Sequence, residues 1–297
     1  MERPQIHAHH LRERHMRSGR VLSGLLIGGL FLSSAGMTAD ASAQGVKKPK
    51  TTAPEKKVTL LPSGTVSIPG EGGLLQNGVY MAGKEKGSAV IFLHMDGRSL
   101  EDWRAFAERL QRSGVHVLLL DLRGHGGSTK FSGGKSLTYE QLEPAQYELM
   151  IKDVAAAVVF LRARANINPE SVALVGASVG ANIAARVAAD DPRIANLVLL
   201  SPGLEYKGIA IEDAVQRYAE RPLFLAVSRE DNFSAKSSLV LDSVARGKKA
   251  LRVYTGAGHG TRMLAKESSL EPQITNWLGG NYDVDGDDII TPGEMRP

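Results

Sequence analysis

The chain has 297 residues, a formal net charge of +4, 42% hydrophobic residues and no cysteine. That composition suits one or two globular domains with a sizeable core and excludes a disordered or fibrous chain. The missing cysteine excludes disulfides, a thiol nucleophile and a lipid-modified cysteine anchor, so export to an oxidising compartment would involve no disulfide.

In chain order, Arg3, Arg12, Arg14, Arg17 and Arg20 precede the apolar run Val21 to Leu32, and Ala41-Ser42-Ala43 follows as a small-residue cleavage site. Residues 1–43 are expected to be a secretory signal peptide. The apolar run is interrupted by Ser23, Gly24, Gly28 and Gly29 and falls short of the about 20 residues of a membrane span. No stable span is expected after cleavage, and the protein is expected to be exported, to the periplasm or outside a bacterial cell. Five arginines against Glu2, Glu13 and Asp40 mean that about half of the formal charge leaves with this segment. Residues 44–57, with Lys47, Lys48, Lys50, Lys56 and Lys57 among Pro and Thr, read as a basic flexible linker. No aromatic residue or motif accompanies the lysines, so no nucleic-acid partner is expected.

Residues 58–280 read as the folded domain. Short strands are expected at Val58 to Leu61 and Val79 to Met81, then a strand at Val90 to Leu93 and a helix at Leu100 to Arg112. A strand at Val115 to Leu120, a helix at Tyr147 to Arg162 and a strand at Val172 to Val175 follow. Next come a small-residue helix at Ala181 to Ala189, a strand at Leu197 to Leu200, a helix at Ile211 to Tyr218 and strands at Leu223 to Val227 and Leu251 to Tyr254. Near-continuous apolar strands alternating with helices imply an α/β fold with a mostly parallel sheet buried on both faces.

The strand at Val172 to Val175 runs into Gly176-Ala177-Ser178-Val179-Gly180. A strand feeding a glycine-flanked serine before a helix is the context that a Gly-x-Ser-x-Gly nucleophile requires, so Ser178 is the candidate nucleophile. A serine hydroxyl needs an imidazole to take its proton and an acid to orient that imidazole. His7, His9, His10 and His15 fall in the leader, which leaves His94, His116, His125 and His259. His116 lies inside a strand and reads as a core residue, whereas His94 and His125 lie at the carboxyl ends of strands but precede the serine. His259, in Gly256-Ala257-Gly258-His259-Gly260 after the last strand, is the expected base. The strand ending at Val227 leads into Ser228-Arg229-Glu230-Asp231-Asn232, where Asp231 is the expected orienting acid and Glu230 the alternative. The order Ser, Asp, His is the one expected for such a triad on a parallel sheet.

These motifs, with VIFLHMDG at Val90 to Gly97, DLRGHGGS at Asp121 to Ser128 and LVLLSPGLEYKG at Leu197 to Gly208, make the chain resemble α/β-hydrolases from about Ala89 to Leu278. The resemblance is to esterase-like, dienelactone-hydrolase-like and serine-aminopeptidase-like members. It implies an eight-stranded, mostly parallel sheet with helices on both faces. It also implies an oxyanion hole built from the Val179 amide and an amide of the loop His94-Met95-Asp96-Gly97, assigned to Asp96 with Met95 as the alternative. An acidic side chain so near a developing oxyanion is unfavourable unless it points away or is paired. Between Ser201 and Pro222 there is room for little more than one helix, so no large cap domain is expected. Leu204-Glu205-Tyr206-Lys207 reads there as a surface turn, with substrate contact the alternative.

Residues 281–297 form an acidic tail in which Asp283, Asp285, Asp287 and Glu294 match the ligand spacing of an EF-hand loop. Ile289 would offer a carbonyl and Thr291 a further ligand. The pattern resembles EF-hand and dockerin-like calcium loops, with Asp288 in place of the turn glycine and no room for an exiting helix. The expected activity is that of a carboxylesterase-like serine hydrolase cleaving carboxylic ester, or thioester, bonds of a small acyl substrate through an acyl-enzyme, with no cofactor for catalysis. A serine peptidase of the same fold, or a non-catalytic calcium-binding surface protein, is the alternative.

Overall fold

The computed structural model describes residues 63–283, all within the unit Lys56–Pro297. The expected signal peptide, the basic linker, the strand at Val58 to Leu61 and five of the six calcium-loop positions (Asp285, Asp287, Ile289, Thr291 and Glu294) lie outside the described residues. Of that loop only Asp283 is described, and among the described residues no group of three or more metal-ligating side chains comes together. No helix of the described residues is long and apolar enough to cross a membrane.

The chain opens with β1 (Gly64–Pro69) and β2 (Leu75–Met81), then β3 (Gly87–Leu93), α1 (Arg104–Arg112), β4 (His116–Leu120), α2 (Pro144–Arg162), β5 (Ile167–Ala177), α3 (Val179–Asp190) and β6 (Ile194–Leu200). A small hairpin, β7 (Glu205–Tyr206) and β8 (Ile209–Ala210), precedes α4 (Glu212–Tyr218), β9 (Leu223–Ser228), α5 (Asn232–Val244), β10 (Lys249–Tyr254), α6 (Met263–Lys266) and α7 (Leu270–Leu278). Eight strands form one sheet in the order β1-β2-β4-β3-β5-β6-β9-β10. Only β2 runs against its neighbours, and every pairing from β4 to β10 is parallel. The fold class is the expected one, and the segment between β6 and β9 carries a hairpin and one helix, with no large cap.

The apolar runs are continuous because both faces of the sheet are covered. In β3, Ala89, Ile91 and Leu93 pack into one core and Val90 and Phe92 into the other. β5 divides in the same way, with Val172 and Leu174 on one side and Ala173, Val175 and Ala177 on the other. Fully burying each such Val, Leu or Phe contributes about 1.5–3 kcal/mol. The helix expected from Leu100 begins as a 3-10 turn (Leu100–Trp103) before α1. β1, α5 and α7 are not among the elements expected from the sequence, although Leu270, Ile274 and Trp277 of α7 fall at helical spacing. In α5 the buried residues include Ser234, Ser237 and Ser238, which an apolar pattern does not register.

Candidate active site

Ser178 stands between the end of β5 and the start of α3 with φ 54° and ψ −123°. A serine held there costs about 1–3 kcal/mol of backbone strain, which the surrounding packing has to offset. The two motif glycines show how tight that packing is. A Cβ on Gly176 would lie 2.3 Å from the Gly180 carbonyl oxygen, and one on Gly180 would lie 2.5 Å from the His94 carbonyl oxygen. Ala181, Ala184, Ala185 and Ala188 are buried, so α3 lies close against the sheet and presses the turn onto the end of β3. The Ser178 amide donates to the Leu200 carbonyl of β6 at 2.9 Å.

Beyond β6 in the sheet, Asp231 and His259 follow the carboxyl ends of β9 and β10. Their side chains meet at 2.6 Å between Asp231 Oδ2 and His259 Nδ1. With Nδ1–H donating to the carboxylate, Nε2 is the basic ring nitrogen. Burial pushes the Asp231 carboxyl up, but the hydrogen bonds from His259 and Ser234 outweigh it and hold the group below its ordinary value. The adjacent acid is engaged elsewhere. Glu230 Oε2 accepts from Ser228 Oγ at 2.7 Å and from the Gly256 amide at 2.8 Å, so it braces the loop that carries His259. Ser228 Oγ also accepts from the Ala257 amide at 3.1 Å. Of the two carboxylates left open by the sequence, Asp231 is therefore the one on the imidazole.

Ser201 is a part of this scaffold that the sequence did not mark. It follows β6 directly with φ 47°, is fully buried, and accepts the Gly260 amide on its Oγ at 2.9 Å, next to His259. Its only sequence signal is its place after the apolar run of β6.

The loop after β3 faces the same end of the sheet. His94 Nδ1–H donates to the Met95 carbonyl at 2.7 Å and Nε2 accepts the Leu122 amide at 2.9 Å, which defines a neutral, structural histidine. Complete burial pushes it down to about 4. His125 accepts the Gly97 amide on Nε2 at 2.9 Å and faces the Arg123 carbonyl through Nδ1 at 2.9 Å. His116 is buried between Tyr80 and the Gly83 amide, in keeping with a core role. The Gly97 and Arg98 amides are used within the loop region, whereas no hydrogen bond to the Met95, Asp96 or Val179 amide is found among the described residues.

The Asp96 carboxylate is paired. Its Oδ1 accepts from Tyr147 Oη at 2.9 Å and lies 3.3 Å from His125 Nε2, while its Oδ2 lies 3.0 Å from Lys207 Nζ. Burial raises this carboxyl, but its contacts with His125, Lys207 and Tyr147 hold it far below the ordinary carboxylate range.

The segment Leu204 to Lys207, expected as a surface turn, is the first strand and tip of the β7–β8 hairpin. Tyr206 is half-buried, its hydroxyl lies 2.8 Å from Ser234 Oγ, and its ring stands perpendicular to His259 with centroids 6.3 Å apart. Burial pushes the phenol above its ordinary value. Phe233 packs edge-on against Tyr206 at 5.4 Å while remaining half exposed. Asn182 of α3 anchors the hairpin through the carbonyls of Gly203 and Ile209, at 3.0 and 2.8 Å. These two-residue strands are too short for a period-2 signal. A cavity of about 320 Å³ bordered by Ser88, Val115, Asn196 and Tyr282 lies at the opposite, amino end of the strands and contains none of these groups.

Comparison with known proteins agrees with this arrangement. Residues 84–221 match the family model described as serine aminopeptidase, S33. A thiohydrolase, aneE, from Aspergillus aculeatus is 28% identical over 174 residues, covering 57% of this chain and 51% of the relative. The chain thus spans about half the length of that curated relative. Among solved structures, the α/β-hydrolase GrgF from Penicillium sp. sh18 is similar with a TM-score of 0.61 and 17% identity, covering 75% of this chain and 100% of that one. The Pyrococcus furiosus esterase Pf2001 is similar with a TM-score of 0.60 and 19% identity, covering 73% and 92%. Architecture and structural neighbours together show the same fold, and the sequence matches support a serine hydrolase built on it.

Proposed function

We propose that this chain, an α/β-hydrolase by fold, is an exported serine hydrolase that cleaves carboxylic ester or thioester bonds of small acyl substrates through an acyl-enzyme. The observation that carries the reading is the strained Ser178 turn at the end of β5, with a His259–Asp231 pair 2.6 Å apart after the carboxyl ends of β9 and β10 in the same sheet. In this reading His259 Nε2 takes the proton of the Ser178 hydroxyl as Oγ attacks the acyl carbon. Asp231 keeps Nδ1 protonated and stabilises the imidazolium that results. The Val179 amide and the Asp96 amide, with Met95 the alternative, receive the oxyanion. Collapse of the tetrahedral adduct expels the leaving alcohol or thiol, which takes the proton from His259. Water then attacks the acyl-enzyme with His259 again as base, releasing the acid and restoring Ser178.

Ester or thioester is favoured over peptide because the curated relative is a thiohydrolase. The matched family model, described by an aminopeptidase, supports a serine peptidase as the second reading. Export rests on the Arg-rich and apolar pattern of residues 1–43. The test is a panel of p-nitrophenyl esters, acyl thioesters and aminoacyl amides assayed with wild type and Ser178→Ala. The proposal expects ester or thioester turnover that disappears in Ser178→Ala. Turnover of the amides alone would favour the peptidase reading, and turnover that survives Ser178→Ala would sink both.

A further inference from the structure

We infer that Lys207, at the tip of the β7–β8 hairpin, is a positioning residue of this site: it neutralises the Asp96 carboxylate so that the loop bearing that carboxylate can receive an oxyanion. The inference rests on the proposed acyl-transfer reading of the site.

Asp96 presents a difficulty to that reading. A carboxylate oxygen lies within about 5 Å of its own residue's amide by covalent geometry, so a charged Asp96 side chain stands close to any anion bound there. Three groups face it. Tyr147 contributes a neutral hydroxyl at 2.9 Å. His125 is 3.3 Å away, but its Nε2 is the acceptor for the Gly97 amide and its Nδ1 faces a carbonyl, the bonding pattern of a neutral imidazole. Lys207, at 3.0 Å, is thus the one permanent cation on Asp96 among the described residues.

The chain goes to some length to put a lysine there. Lys207 and Gly208 are the two central residues of the hairpin turn, with φ 54° and 84°. A two-residue turn with positive φ at both positions favours Asn or Gly at the first, so lysine carries strain that its surface position alone does not require. Its ammonium group also lies 5.3 Å from the centre of the Tyr147 ring, which faces the same carboxylate. Asn182, on the helix that begins at the nucleophile turn, fixes the base of the hairpin from the other side. The ammonium is therefore held at Asp96 from both ends of the hairpin.

Without Lys207, Asp96 would repel the developing oxyanion. At about 7 Å and an effective permittivity of about 40, that repulsion slows turnover on the order of tenfold. The experiment is a double-substitution cycle: wild type, Lys207→Met, Asp96→Asn and the double variant, with Lys207→Arg as the conservative control. It reads kcat and KM for a p-nitrophenyl ester, the rate of Ser178 labelling by a fluorophosphonate, and thermal melting of each variant. Lys207→Met is expected to lower kcat and the labelling rate on the order of tenfold with KM changed less, and Lys207→Arg to keep most of both. In the Asp96→Asn background, the same Lys207→Met change should cost less than about twofold, because no carboxylate remains to be neutralised. An equal loss in both backgrounds would reduce Lys207 to a tether of the hairpin and overturn the inference, as would no loss from Lys207→Met. Ser178→Ala, assayed alongside, separates the two levels. If it retains turnover, the reading of the site itself has failed, whereas a dead Ser178→Ala with an unresponsive Lys207 refutes this inference alone.

Discussion

Replacing Asp231 with asparagine removes one charge and almost no volume. Because Asp and Asn cap helices about equally well, α5, which Asp231 caps through the Ser234 amide, should keep its stability. The loss therefore falls on His259. At the observed 2.6 Å and an effective permittivity of about 40, suited to a partly solvated pair, the carboxylate attracts an imidazolium by about 3 kcal/mol. Each 1.4 kcal/mol is about tenfold, so kcat should fall roughly a hundredfold from charge alone. Asparagine can also accept or donate at Nδ1 and admits the wrong tautomer, so the measured loss should be at least that large. Glu230 cannot compensate, because its carboxylate already holds Ser228 and the Gly256 amide. The assay is kcat and KM on a p-nitrophenyl ester for Asp231→Asn and Glu230→Gln, with melting temperatures for both. A kcat for Asp231→Asn within threefold of wild type, together with a collapse in Glu230→Gln, would refute the assignment.

Three further outcomes follow from the same geometry. Gly180→Ala should destabilise the fold by about 3 kcal/mol in urea titration, since its Cβ would meet the His94 and Leu93 carbonyl oxygens at 2.5 and 2.6 Å; wild-type stability would mean that the turn is looser than described. The Asp96 carboxyl is held below its ordinary value in the folded state, so its stabilisation is present above about pH 4 and is lost as pH falls below that. Melting curves of wild type and Asp96→Asn should accordingly differ at pH 7 and converge in acid, and a constant difference would contradict the pairing. Calorimetric titration of the full chain with calcium should show binding that weakens in Glu294→Gln, and identical traces without binding heat would dismiss the proposed loop.

Much of the candidate site's geometry is written locally. Gly176 to Gly180 specify their own strand, turn and helix, because the glycines stand where no Cβ fits and the alanines that follow let α3 approach the sheet. The place of His259 at the carboxyl end of the sheet is legible by elimination and by its position after the last strand, and the structure puts it on Asp231. Asp231 and Glu230 are neighbours in sequence, and only the three-dimensional closing of Glu230 onto Ser228 and Gly256 separates their roles. The β7–β8 hairpin reads in the sequence only as a turn, because strands of two residues have no period, and its position beside His259 depends on Asn182, a polar residue inside a helix. The pairing of Lys207 with Asp96 joins loops from distant parts of the chain, and neither residue carries a local sign of the other.

The central claim is that Ser178 is a nucleophile activated by His259. Its most direct test is mass-spectrometric mapping of the adduct after the folded protein reacts with a fluorophosphonate, comparing wild type with His259→Ala. The account predicts a single covalent adduct on Ser178 that forms rapidly in wild type and is nearly lost in His259→Ala. An unmodified Ser178 in folded wild-type protein, or equal labelling in the two, would contradict it.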